Sequence, residues 1–144
     1  MRVISLVIEG LEQAAERGCL AWLFAQDADI ICLQDTRCAE HNLSGEAFFP
    51  ENYHPYFLDH YENPRLNGVA IYSKRLPKAI IWGLGFEEFD AQGLYIQADF
   101  DEISVGSVLV PSGTGGPEAV ASKLDFLSQL SNHLEKVRHK RKIF

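Results

Sequence analysis

Ala28-Asp29-Ile30-Ile31-Cys32-Leu33-Gln34-Asp35-Thr36-Arg37 is the stretch that decides the fold. Its centre, Ile30–Leu33, is apolar without alternation, which suits a strand buried on both faces. Upstream, Leu11–Gln26 reads as a helix that ends at Asp27-Ala28-Asp29. Leu11, Ala15, Cys19, Trp22 and Leu23 fall on one stripe, while Glu12, Gln13, Glu16 and Arg17 face water. Before the helix, Arg2–Ile8 is apolar and rich in β-branched residues, hence a strand. Strand, helix, strand in this order is an α/β unit whose loops gather at one edge of a sheet.

Downstream, Tyr53–Asp59, Gly68–Ser73, Ala79–Trp82, Leu94–Phe100 and Ile103–Val110 each read as strands. Gly83-Leu84-Gly85 and Asp90-Ala91-Gln92-Gly93 are breakers, and Asp99-Phe100-Asp101-Glu102 reads as a hairpin turn. A helix is expected from Pro117 to Lys140, with proline in its first turn. Leu124, Leu127, Leu130, Leu134 and Val137 supply its buried face. Lys142-Ile143-Phe144 resembles the start of another strand. Val69, Ala70, Ile71 and Tyr72 show no polar alternation. With both helices on one face of the sheet, the other face would be bare, implying a layer supplied by further chain or a partner and a tendency to dimerise.

The chain has 144 residues and 47% hydrophobic content, a one-domain length with room for a core. No apolar run approaches the ~18–20 residues needed to span a bilayer, which excludes a transmembrane protein. The N-terminus reads as a strand running into folded sequence, not a signal peptide. Cys19, Cys32 and Cys38 form no CxxC pair, which fits a reducing cytoplasm and no cysteine metal site. The net charge of -7 hides an asymmetry. Residues 1–134 carry 8 basic against 19 acidic side chains; residues 135–144 carry 5 against 1. The basic end, Lys136, Arg138, Lys140, Arg141 and Lys142, is either a contact patch for nucleic acid or a partner, or a solvated helix terminus favoured by the macrodipole.

The blocks Met1–Leu6, Ala28–Arg37, Gly68–Lys74, Gly83–Glu87, Tyr95–Phe100 and Val110-Pro111-Ser112-Gly113 together resemble the exonuclease III branch of the endonuclease/exonuclease/phosphatase superfamily. The resemblance runs over the whole chain but matches only the N-terminal half of such proteins. It implies an α/β fold, an α+β layering that forms the first half of a four-layer α/β sandwich, with a mixed β-sheet covered by helices on one face. Residues 1–144 would then form a single incomplete domain. Within the branch, Leu33-Gln34-Asp35-Thr36-Arg37, Pro77-Lys78-Ala79 and the basic helix end are similar to the catabolite repression control proteins.

Active members of the family cleave phosphodiesters with a divalent metal such as Mg²⁺, held by oxygen ligands. The resemblance places their Asn at Val7, a second Asn at Glu9, the metal-ligand Glu at Asp35, the Tyr at Leu109 and the Arg of a turn at Leu94. Val7, Leu94 and Leu109 cannot replace those side chains, and Asp35 is one methylene shorter than Glu. The later Gly-Asp-x-Asn and Ser-Asp-His motifs have no counterpart. No catalytic residue and no cofactor are therefore expected, with Asp35 a vestigial metal position and Mg²⁺ relevant only to an active enzyme. By resemblance, the implied role is translational repression of A-rich mRNA together with Hfq. The alternative is a Mg²⁺-dependent exonuclease III-type DNA repair nuclease on duplex DNA, or its inactive remnant.

Other features read as structural. Gly113-Thr114-Gly115-Gly116-Pro117 lacks the Lys-Ser/Thr of a P-loop. The aromatics Phe48, Phe49, Tyr53, Tyr56, Phe57 and Tyr61 have no interleaved cations and read as packing. Ser112 has no His partner, and His41, His54, His60, His133 and His139 read as surface or satisfied side chains.

Overall fold

The structure is a computed structural model that describes residues 1–144. Its elements, in order, are β1 (Val3–Val7), α1 (Leu11–Glu16), α2 (Cys19–Ala25), β2 (Ile30–Gln34), a 3₁₀ turn (Glu40–Asn42), β3 (His54–Leu58), β4 (Val69–Ser73), β5 (Ala79–Trp82), α3 (Glu87–Asp90), β6 (Tyr95–Asp99), β7 (Ile103–Val108), α4 (Pro117–Arg138) and β8 (Lys142–Ile143). Every expected strand is present, shifted by two residues or fewer at its ends.

Two departures have local causes. The helix expected over Leu11–Gln26 breaks in two at Gly18, whose φ of 78° is left-handed and ends α1 before α2 starts. The break rotates the stripe. Leu11, Ala14, Leu20 and Leu23 are buried, and Trp22 is 61% exposed. In α4 the buried side chain is Phe126, which the leucine spacing misses, whereas Leu124 and Leu127 face solvent. Leu130, Leu134 and Val137 are half-buried.

The strands form two mixed four-stranded sheets rather than one. The first has the order β1-β2-β4-β3, with β1 parallel to β2 and the other pairs antiparallel. The second has the order β5-β6-β7-β8, with β8 parallel to β7. The expectation of a bare face is corrected by the contact between them. Ile30, Cys32, Val69 and Ile71 of the first sheet pack against Ile96, Ala98, Phe100 and Val105 of the second. The opposite face of the first sheet, through Ile31, Leu33, Ala70 and Tyr72, packs on Leu11, Ala14, Leu20 and Leu23 of α1 and α2. Every residue of β2 and β4 is consequently buried, and the uninterrupted apolar runs are explained by covers on both sides. The layers run helix, sheet, sheet, helix. α4 lies on the outer face of the second sheet, where Phe126 meets Phe89 and Leu94.

One polar bridge crosses the sheet-to-sheet core. Gln34 Nε2 donates to Ser107 Oγ at 2.9 Å and to Ser5 Oγ at 3.1 Å, and Ser107 Oγ donates to the Leu33 carbonyl at 3.2 Å. Buried polar groups need such partners, and these tie β1, β2 and β7 together directly beneath Asp35.

Candidate functional site

The strand ends bring the degenerate positions to one edge of the sandwich. Val7 ends β1 opposite Gln34 of β2, and Asp35 follows at once. Leu94 and Leu109 flank the starts and ends of β6 and β7, joined by the Leu109 N–H to Leu94 carbonyl bond of 2.8 Å. The two sheets are laced here by the Gly68 N–H to Gly93 carbonyl bond of 3.1 Å. Val7 is 55% exposed, Leu109 is half-buried, and Leu94 is buried under Phe89 and Phe126.

The backbone at this edge is under strain. Glu9, Asp35, Arg37 and Asn67 have φ of 49°, 65°, 52° and 54°. Such residues persist only where the surroundings over-determine them. Here the Gly10 and Leu11 N–H groups donate to the Asp35 and Thr36 carbonyls (2.9 and 2.8 Å), and the Asp35 N–H donates to the Gly68 carbonyl at 2.8 Å. Arg37 N–H donates to the Asn67 carbonyl at 2.9 Å. Gly68 must be glycine. Its φ is 93°, and a Cβ there would lie 2.1 Å from Thr36 Oγ1, which is buried without a hydrogen-bond partner.

The pinned loop aims Arg37 at Asp35. Nε donates to Oδ1 at 3.0 Å, and Nη2 meets Oδ2 at 2.7 Å. This is a two-point fork that occupies both carboxylate oxygens. The hydrogen bond and charge of Asp35, with a smaller contribution from Glu9, push Arg37 above its ordinary pKa. Two pits flank the pair. One, of about 500 Å³, is lined by Glu9, Glu12, Gln13, Arg37 and Arg65. The other, of about 420 Å³, includes Asp35, Arg37, Arg65, Asn67, Leu109 and Ser112.

These residues do not fit a Mg²⁺ ion. No three His, Cys, Asp or Glu side chains converge to hold a metal. The single carboxylate at the expected place already has both oxygens engaged by Arg37, while Mg²⁺ demands near-octahedral oxygen coordination.

The basic residues lie elsewhere. Asp99 and Ile103 mark the opposite end of β6 and β7, and α4 finishes there. Arg141 donates to the Phe100 carbonyl and, at 3.2 Å, to that of Ile103, closing the β6–β7 turn. Arg138 pairs with Glu135 at 2.8 Å. Lys136, Lys140 and Lys142 have no carboxylate partner within 4.0 Å and are exposed. Lys140 and Lys142 border an open hollow of about 970 Å³. The strand axes thus separate this patch from Asp35. His133 is satisfied by Gln97 at 2.8 Å, and His139 faces Glu135 at 3.3 Å. Burial pushes the Cys32 and Cys38 thiols up to about 12, away from reactive thiolates.

The pattern that defines the Endonuclease/Exonuclease/phosphatase family matches residues 10–143. The chain belongs to this family. It is 32% identical over 117 residues to the DNA repair nuclease APEX1 of Danio rerio, covering 81% of this chain and 38% of that protein. It is 29% identical over 144 residues to the exodeoxyribonuclease of Bacillus subtilis, covering 99% of this chain and 56% of that one. The solved catalytic domain of Xenopus laevis APE2 superposes with a TM-score of 0.86 at 25% identity, covering 99% of this chain and 56% of that chain. The chain therefore spans well under two thirds of the length of these relatives. Their names place the likeness on the exonuclease III/AP endonuclease-like branch and give no counterpart to a catabolite repression control role with Hfq.

Sequence reading located the edge but not its cations. Arg37 is an i,i+2 partner of Asp35, and Arg65 precedes the Asn67-Gly68 turn. Nothing in residue spacing announces that two non-glycine residues turn left-handed to form the fork.

Proposed function

We propose that this chain is a non-cleaving form of the exonuclease III/AP endonuclease scaffold that engages DNA through the edge carrying Asp35. The observation that carries this reading is the Asp35–Arg37 fork. It takes up the one carboxylate at the metal position, while Val7, Leu94 and Leu109 are aliphatic where the resemblance calls for polar groups. Losing a single electrostatic stabiliser typically lowers a rate by ~10²–10³, and here several positions are changed together. The DNA substrate class rests on the names of the relatives, which act in DNA repair and deoxyribonucleotide cleavage. The Hfq-assisted mRNA reading rests only on motif likeness and the basic helix end, two of whose five cations, Arg138 and Arg141, have partners within the chain.

The test pairs a mobility-shift assay on abasic duplex DNA with a cleavage assay in Mg²⁺. With a net charge of -7, retention of DNA is expected at low salt and should fall steeply as salt rises. Retention without strand cleavage supports the reading. Mg²⁺-dependent cleavage overturns it in favour of an active nuclease. A shift of A-rich RNA that requires Hfq, with no shift of DNA, overturns it in favour of translational repression.

A further inference from the structure

We infer that Arg37 is a built-in cation standing where a divalent ion would sit, and that with Arg65 it makes the pit beside Leu109 a metal-independent site for a phosphate-ester anion. The inference rests on the reading of this edge as a nucleic-acid-facing one, but it concerns how the anion is held.

Several independent features lead here. Arg37 is fixed at both its ends. Its N–H is bonded to the Asn67 carbonyl, and its guanidinium is forked onto Asp35. The fork uses Nε and one terminal nitrogen, leaving the other terminal nitrogen and its donors free, since a guanidinium has five N–H groups. The Arg37 side chain is 47% exposed and that of Asp35 only 16% exposed, so the cation presents outward and the carboxylate lies behind it. Arg65 lines both pits with Arg37 and has no carboxylate within 4.0 Å.

Charge selects between the pits. The one beside α1 balances its two arginines with Glu9 and Glu12. The one beside Leu109 sets two arginines against Asp35 alone, which is already paired, and adds the Asn67 amide, while the Ser112 hydroxyl there is shared with Thr114 Oγ1 at 2.6 Å. A planar guanidinium matches phosphate oxygens in a way a hydrated ion does not, and a pre-positioned one loses little freedom on binding.

The test uses the full chain with inorganic phosphate as the anion probe and Mn²⁺ as the metal probe. Phosphate titrated in EDTA should shift the guanidinium resonances of Arg37 and Arg65 in nuclear magnetic resonance spectra, and added Mg²⁺ should leave the affinity within about twofold. Arg37→Gln should weaken phosphate at least ~10-fold, and the parent chain should show no bound Mn²⁺ in electron paramagnetic resonance. Arg65→Gln, an exposed change with no packing role, should weaken phosphate without creating a Mn²⁺ site, and it keeps the test decisive if Arg37→Gln misfolds. Phosphate binding that requires Mg²⁺, or Mn²⁺ bound by the parent chain and lost in Asp35→Asn, overturns the inference. Failure to retain DNA would overturn the proposed function while leaving the phosphate result to stand or fall alone.

Discussion

At the Asp35 end of the sandwich, four non-glycine residues adopt left-handed backbone, and short main-chain bonds between β1–α1, β2 and β4 hold them there. At the other end, the β6–β7 turn and the close of α4 contain no left-handed residue, and the part-buried carbonyls of Phe100 and Ile103 accept from one long side chain, Arg141, the Ile103 carbonyl also from the Phe100 N–H at 2.9 Å. The Asp35 end relies on left-handed backbone and steric exclusion, while the β6–β7 turn adds a side-chain donor to its own backbone pairing. Strain of ~1–3 kcal/mol per residue is ordinarily retained only where the surroundings over-determine it. Here the strain positions the Asp35–Arg37 fork.

The strongest way to break the comparison is at Gly68. Gly68→Ala imposes a Cβ within 2.1 Å of Thr36 Oγ1 on a residue with φ of 93°. Left-handed backbone for alanine and overpacking together should destabilise the fold by roughly 2–5 kcal/mol. Urea unfolding measures it. A loss under about 0.5 kcal/mol, the level of a neutral surface change, would show that the edge is loosely held and that its left-handed residues are not locked. Any variant that does fold should also bind phosphate more weakly, because the displaced Thr36 adjoins Arg37.

The far end is tested next. Arg141→Ala removes the donors to the Phe100 and Ile103 carbonyls and should lower stability by about 1.5–3 kcal/mol. Lys140→Glu, its exposed neighbour, should change stability by no more than about 0.5 kcal/mol. Equal effects of the two changes would mean that Arg141 is a solvated charge like the lysines. Unequal effects would divide the basic stretch into a structural arginine and lysines free to meet a partner.

The same contrast explains how much could be read beforehand. Ile30–Leu33 and Val69–Tyr72 announce strands covered on both faces because an uninterrupted apolar run has no other stable home. What covers them is not local information. The second sheet, itself held by pairings such as Ile81 with Gln97 and Ser104 with Ile143, covers Ile30 and Val69 through Ile96, Ala98, Phe100 and Val105. Phe126 was invisible for a similar reason. The leucines outnumber it on α4, but only its position meets Phe89 and Leu94. Motif order gives Asp35, Val7, Leu94 and Leu109, and each lies at or beside a strand end. It does not give the fork, because left-handed backbone is uncommon for a non-glycine residue, Arg37 above all. Arg141 was grouped with the lysines because charge is legible and a carbonyl partner 38 residues away is not.

The smallest effect sharpens the comparison by pH. His133 on α4 lies against the β6 face of the second sheet, with its ring 5.2 Å from that of Tyr95. Gln97 Oε1 accepts from the Tyr95 hydroxyl at 2.6 Å and lies 2.8 Å from His133 Nε2, so the imidazole is assigned as the Nε2–H tautomer. Burial holds the His133 pKa below its ordinary value of 6.5; the nearby Asp99 carboxylate opposes this and Lys136 adds to it. With the folded value below the unfolded one, both states are neutral at high pH and the group contributes no slope. As pH falls through the unfolded value the unfolded chain takes up its proton first, so stability declines until the folded value is passed. The urea midpoint should therefore drop as pH falls through the ordinary histidine value of 6.5. His133→Gln, which can still donate to Gln97, should flatten part of that drop, while Gly68→Ala should lower the midpoint at every pH without changing the slope. Parallel pH curves for the parent chain and His133→Gln would place the dependence on another group and remove His133 from the account of how α4 is held to the second sheet.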